Sequence, residues 1–223
     1  MFHISRCPLS LKRENKPTQI YVTTMQISLK VSFFCFLFIL NLLSFQKLYA
    51  DRIVGSQQLV VNLYNDLVAA SIKELSSDKQ KEELKNLFQE YVDIPIIARA
   101  VLGKSWREAN SDQRNRFIHA FKKYVSDKYG RQFSEFKGTT LEIIKSRDTL
   151  TKAGVLISTE VVVPGNSPLK VVWQVSDGSG SLKLIDLRVE GISMLSTERQ
   201  EFRSKLKKFN GSLDDLILSI SYE

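Results

Sequence analysis

The sequence predicts an α+β fold, on three observations. Apolar residues recur at helical steps from about residue 59 to 136, four β-rich runs separated by short turns follow Gly138, and helical spacing returns after Thr197. Turns too short for a crossover helix make the strands antiparallel. Helices combined with such a sheet define the α+β class.

Each element has its own signal. Leu59, Val60, Leu63, Leu67, Val68, Ile72 and Leu75 form the stripe of a first helix. Ser77 with Gln80 reads as a capping box for a second, with Leu84, Leu87, Phe88 and Tyr91 on one face. Asp93 is the expected N-cap of a third, which tolerates Pro95 in its first turn, carries Ile96, Ile97, Val101 and Leu102, and ends at Gly103. Asn110 with Gln113 opens a long helix bearing Phe117, Ile118, Phe121, Tyr124, Val125, Tyr129, Phe133 and Phe136. Its opposite face, with Arg114, Arg116, Lys122, Lys123 and Asp127, is expected in solvent. Trp106, just ahead, is expected to anchor the preceding helix in the core.

Four strands are expected, at Thr139–Arg147, Val155–Val163, Leu169–Ser176 and Leu182–Val189. Val155, Ile157, Thr159, Val161 and Val163 share one face of the second, and Leu169, Val171, Trp173 and Val175 one face of the third. On the fourth, Ile185, Leu187 and Val189 point one way and Leu182 and Leu184 the other. Two helices close the chain, Thr197–Phe209 and Ser212–Ile220, split by Asn210-Gly211. The apolar sheet face either completes a core or leaves a cavity, and periodicity does not separate the two.

Composition narrows the function. The chain carries a net charge of +8, but residues 1–50 hold six Lys/Arg and one acid, which leaves 26 basic and 23 acidic residues beyond them. A balance that even gives little support to nucleic-acid binding, which wants a basic face. Cys7 and Cys35 both precede residue 51, so the remainder has no disulfide and no thiolate chemistry. His119 is the only histidine after residue 50, which argues against a zinc site. An enzymatic reading rests on Asp186 as a buried base, with Glu160 second. The structural alternative for Asp186 is a cap or pairing at a strand.

Val31–Phe45 is a short apolar run, flanked by Lys30 and Lys47 and followed by Leu48-Tyr49-Ala50. It is shorter than the about 20 residues of a membrane span and has the form of a secretory leader. Residues 1–50 are therefore expected to be a signal-peptide region, with an uncleaved anchor as the alternative and Met25 as the expected true start. Residues 51–223 are expected to form a single domain outside the cytoplasm.

Leu102, Gly103, Trp106, Ala109, Gln113, Phe117 and Phe121 match one motif of the MlaC, or toluene-tolerance auxiliary, family; Asp186, Val189, Glu190, Gly191, Ser193, Arg199 and Phe202 match a second. Residues 51–223 thus resemble that family over nearly their whole length. Leu182 departs from it, standing where Trp is common, so a repacked site is expected there. The resemblance implies a periplasmic protein with an NTF2-like curved, four-stranded antiparallel sheet, helices before it and two helices after it. It implies a phospholipid ligand, carried between an outer-membrane lipoprotein–porin complex and an inner-membrane Mla-type ABC transporter. Hopanoid-associated relatives share the motifs, so that reading stays open beside an enzyme acting on a small lipophile and a lipid-free adaptor.

On this reading Ile97, Val101, Phe117, Phe121, Tyr124, Val161, Val171, Trp173 and Leu187 line the lipid site. No catalytic residue, metal or cofactor is implied. Arg188 and Arg199 are candidates for touching a phosphate. Burying acyl chain gains about 0.8 kcal/mol per CH₂, so two chains exposed to water cost on the order of 20 kcal/mol. Holding both requires a cavity toward the upper end of the roughly 300–1,000 Å³ range of ligand pockets.

Overall fold

The computed structural model describes residues 50–73, 77–130, 136–151 and 153–222. The leader, Met25, Leu75 and Phe133 lie outside the described residues. Helix α1 covers residues 50–72, followed by α2 (Ser77–Tyr91), α3 (Ile94–Leu102), α4 (Lys104–Glu108) and α5 (Ser111–Gly130). The strands are β1 (Thr140–Asp148), β2 (Val155–Val162), β3 (Leu169–Ser176), β4 (Lys183–Val189) and β5 (Ile192–Ser193), and α6 (Met194–Lys208) and α7 (Leu213–Ser221) complete the order.

Local signals set most boundaries. Asp93 Oδ1 accepts the Ile96 N–H at 3.0 Å and caps α3. Asn110 and Gln113 form a reciprocal capping box: Asn110 Oδ1 accepts the Gln113 N–H at 2.8 Å, and Gln113 Oε1 accepts the Asn110 N–H at 3.2 Å. Asn210 and Gly211 both have positive φ and separate α6 from α7.

Three expectations are corrected. The sheet has five strands rather than four, in the order β1-β2-β3-β4-β5 and antiparallel throughout. The added β5 has two residues, paired with β4 across a tight turn in which Glu190 and Gly191 have φ of 50° and 82°. Positive φ at both central positions suits a two-residue hairpin, but two strand residues carry no alternation to detect. A five-residue helix, α4, stands where none is expected; Trp106 on it is partly buried against the helical core, with the Arg114 guanidinium 5.6 Å from its ring centroid. Phe136 is not the end of α5 but sits just ahead of β1, edge-on to Tyr64 with ring centroids 5.8 Å apart.

Two bulges reshape the faces of the sheet. Val171, Trp173 and Val175 oppose Val189, Leu187 and Leu184, so an extra residue, Ile185, lies between Leu184 and Asp186. Leu184 therefore shares the inner face with Leu187, contrary to strict alternation. Ile144 is the extra residue of β1 and is exposed. Thr159, within the apolar face of β2, donates to Val171 O at 3.1 Å and accepts the Trp173 indole N–H at 2.9 Å. This buried polar residue orients the largest side chain of the sheet.

Apolar packing is divided in two. One cluster is helical, with Phe117, Phe121 and Tyr124 of α5 ringed around Phe202 of α6 at centroid distances of 5.3–5.6 Å. The other joins the sheet's inner face to Val60, Leu63, Tyr64 and Leu67 of α1 and Leu84 and Tyr91 of α2. Helix α1 approaches the sheet closely at Gly55, where a Cβ would stand 2.8 Å from Leu182 Cδ1.

A polar network ties α5 to α6. Lys128 Nζ donates to Glu198 Oε1 at 2.8 Å, to Glu201 Oε2 at 2.6 Å and to the Tyr124 hydroxyl at 2.8 Å; Tyr124 in turn donates to Glu201 Oε1 at 2.7 Å. Burial opposes ionisation of Glu201, but the Lys128 and Tyr124 hydrogen bonds outweigh it and hold the carboxyl below its ordinary 4.5. Burial likewise opposes the charge of Lys128, which Glu198 and Glu201 nevertheless raise above 10.5.

Thr159→Val keeps the shape of the side chain but strands the Trp173 N–H, 2% exposed. It is expected to cost about 1–3 kcal/mol in urea denaturation; an unchanged midpoint would remove this role. The depressed Glu201 carboxyl contributes stability that is present above pH 4.5 and lost as pH falls through its lower folded value. Glu201→Gln is accordingly expected to show a shallower acid-side loss of stability than the wild type across that window.

Candidate functional site

The two apolar clusters do not close on each other. Between them lies a partly open cavity of about 890 Å³. On one side it is walled by Ile94 and Ile97 of α3, Phe121, Val125 and Tyr129 of α5, and Met194 and Leu195 of α6. Opposite stand Leu63 and Leu67 of α1, Leu84 and Leu87 of α2, and the inner face of the sheet, while Phe88 of α2 packs against the helical cluster. The Ile185 bulge brings Leu184 onto that face beside Trp173 and Leu187. The exposed members of the wall, Asn166, Ser167 and Leu169, all belong to the β2–β3 connection or its end, which marks the opening.

Six of the nine residues nominated from the sequence border this cavity: Ile97, Phe121, Val161, Val171, Trp173 and Leu187. Val101, Phe117 and Tyr124 do not; they lie in the helical core, where they are 3%, 0% and 5% exposed. A helical stripe looks the same in sequence whether it meets a cavity or another helix. Here α6 and α7 cover the first turns of the α5 stripe. Leu182 is also off the wall and packs against Gly55 of α1, so its departure from the family pattern falls outside the cavity.

Sequence reasoning missed the contributions of α1 and α2. Their apolar stripes were legible, but nothing in them told core from cavity. It also missed Glu198, an acid in the second turn of α6, which borders the cavity at 3% exposure.

Two polar residues on the wall, Asp186 and Thr139, have structural partners. Asp186 accepts the Ser193 hydroxyl at 2.7 Å and the Arg188 Nε–H at 3.3 Å on Oδ2, and the Leu195 N–H at 3.0 Å on Oδ1. It thereby pins the start of α6 to β4, and a carboxylate at a helix N-terminus is favoured by the helix dipole. Thr139 bonds to the Tyr64 hydroxyl and to Phe136 O. Glu160 is off the wall, His119 and Arg199 are exposed, and no cluster of potential metal ligands occurs among the described residues. The arrangement can enclose long apolar groups and leave a polar end at the β2–β3 opening.

The MlaC protein family model matches residues 58–221. A relative from Haemophilus influenzae, the intermembrane phospholipid transport system binding protein MlaC, is 22% identical over 144 residues, covering 62% of this chain and 67% of its own. A phospholipid-binding protein of Ralstonia solanacearum, solved in complex with a phospholipid, superposes with a TM-score of 0.64 at 16% identity, covering 75% of this chain and 96% of its own. The family match spans most of the chain, and with it the two sequence motifs, the antiparallel meander and the helices on either side of it: the chain belongs to the MlaC family.

Proposed function

We propose that this protein is a periplasmic carrier that encloses a phospholipid's acyl chains in the cavity and moves the lipid between an outer-membrane lipoprotein–porin complex and an inner-membrane ABC transporter. The observation that carries the reading is the apolar space of about 890 Å³ held open between two separately packed cores. That volume lies toward the upper end of the range for ligand pockets, as two chains require. The Haemophilus influenzae relative is named for phospholipid transport between membranes, and the Ralstonia solanacearum neighbour was solved with a phospholipid bound. Both support the ligand class. On this reading the region before residue 51 is the export signal and the bulged meander is an NTF2-like sheet.

Ile97, Phe121, Val161, Val171, Trp173 and Leu187 would contact the chains. Their chemistry suits exchange, because moving a chain from one apolar interior to another changes its free energy little, whereas leaving it in water is costly. The wall needs no nucleophile for this task. Asp186, already engaged by three protein donors, serves better as a clamp than as a base.

Native mass spectrometry of the protein taken from cells is expected to show co-purified phospholipid; protein that is consistently empty would sink the carrier reading. Val171→Trp places a bulky ring on the cavity face of β3. It is expected to reduce bound lipid to a trace by thin-layer chromatography, at a stability cost of about 1–3 kcal/mol. Full lipid occupancy in that variant would count against this wall.

A further inference from the structure

Charge is sorted by sign across α6. Its two acids, Glu198 and Glu201, both pair with Lys128 of α5, at 2.8 Å and 2.6 Å. The charged residues on its exposed side, Arg199, Arg203, Lys207 and Lys208, are all cations. The first three stand at four-residue steps, a line about 12 Å long.

Two neighbouring helices extend the same sign. Arg199 Nη2 lies 3.6 Å from where a Cβ on Gly103 would stand, so its guanidinium sits over the junction of α3 and α4. Arg99 precedes that junction by one turn and Arg107 follows it by one, both exposed. The acid on α4, Glu108, is paired with Lys104 at 3.3 Å, and α3 carries none. Among the described residues, none of these six cations donates a side-chain hydrogen bond or joins an ion pair.

Like charges one turn apart disfavour a helix. They are not the overflow of a basic chain either, because residues 51–223 hold 26 basic and 23 acidic residues. A partner that supplies negative charge accounts for keeping them. A protein partner would be anchored at an apolar or aromatic centre ringed by polar groups. None of the exposed large apolar residues lies on α3, α4 or α6. A layer of lipid phosphates needs no such anchor: Arg forks match phosphate oxygens, and attraction accumulates with the number of cations.

Going beyond carriage in the cavity, we infer that the α3–α4–α6 surface docks this protein on an anionic phospholipid bilayer, through its cations and without insertion. Attachment of this kind is reversible and concentrates the protein at a membrane without trapping it there. It does not depend on what fills the cavity.

The test sediments the protein purified from cells with vesicles of phosphatidylglycerol and phosphatidylcholine in equal parts, and with vesicles of phosphatidylcholine alone. Binding is expected to the first and not to the second, and is expected to vanish in 1 M salt, where charges are screened beyond about 3 Å. Each cation near an anionic surface contributes about fivefold in affinity. The triple variant Arg199→Gln, Arg203→Gln, Lys207→Gln is therefore expected to bind on the order of a hundredfold more weakly. Removing as many exposed cations from the strands, by Lys145→Gln, Arg147→Gln and Lys170→Gln, is expected to leave most of the binding in place. A wild type that shows no preference for anionic vesicles would overturn the inference, whether or not the variants fold, and would turn attention to an acidic protein as the occupant. Equal losses in the two triple variants would overturn it as well. Lipid carried by the unsedimented protein is measured in the same samples. Its absence would strike the carrier reading and leave this inference standing.

Discussion

The constraint on which the rest depends is that the helical cluster and the sheet cluster pack as two groups, touching through Val92 and leaving a space between them elsewhere. A protein interior ordinarily closes to crystal-like density, and a void forfeits the contacts of every atom around it. Here the void survives because its walls are fixed from behind. The Phe117–Phe121–Tyr124–Phe202 group secures α5 to α6. The Asp186 carboxylate holds the start of α6 to β4. Asp93 donates its N–H to Leu184 O at 2.9 Å, which fixes the start of α3 against the same strand. The last two ties join the helical wall to the sheet at β4.

The sheet contributes stiffness and shape together. Thr159 sacrifices an apolar position on β2 to hold the Trp173 ring, so the largest surface on that wall has a set orientation. The Ile185 bulge then adds Leu184 to a face that strict alternation would have denied it. One polar residue and one extra residue thus convert an ordinary half-apolar strand pair into a continuous wall. The polar network of Lys128, Glu198 and Glu201 does the comparable job on the helical side, fixing the register between α5 and α6.

Much of this was legible in the chain. Asn110–Gln113 and Asp93 announced helix starts that the structure places where expected, because capping is local and a four-residue window contains it. The alternation of β2 and β3 gave their inner faces correctly for the same reason. The two-residue β5 and the five-residue α4 were not legible, since neither is long enough to show a period. Nor was the bulge, because a one-residue insertion leaves no mark of its own and is defined only by the strand opposite. The division of the aromatic stripe was the deepest gap. Phe121 borders the cavity, while Phe117 and Tyr124 are enclosed by helices. Which fate each residue meets is decided by where α6 and α7 come to rest, a tertiary fact absent from the stripe.

Phe121 belongs to both regions, stacked on Phe117 at 5.5 Å and bordering the open space. Trimming it to make more room would also dismantle the aromatic group that keeps α5 in place. The strand residues Val161 and Val171 serve no such second purpose in the helical cluster. The volume of the open space is therefore easier to change at Val161 and Val171 than at Phe121, whose ring is needed on both sides.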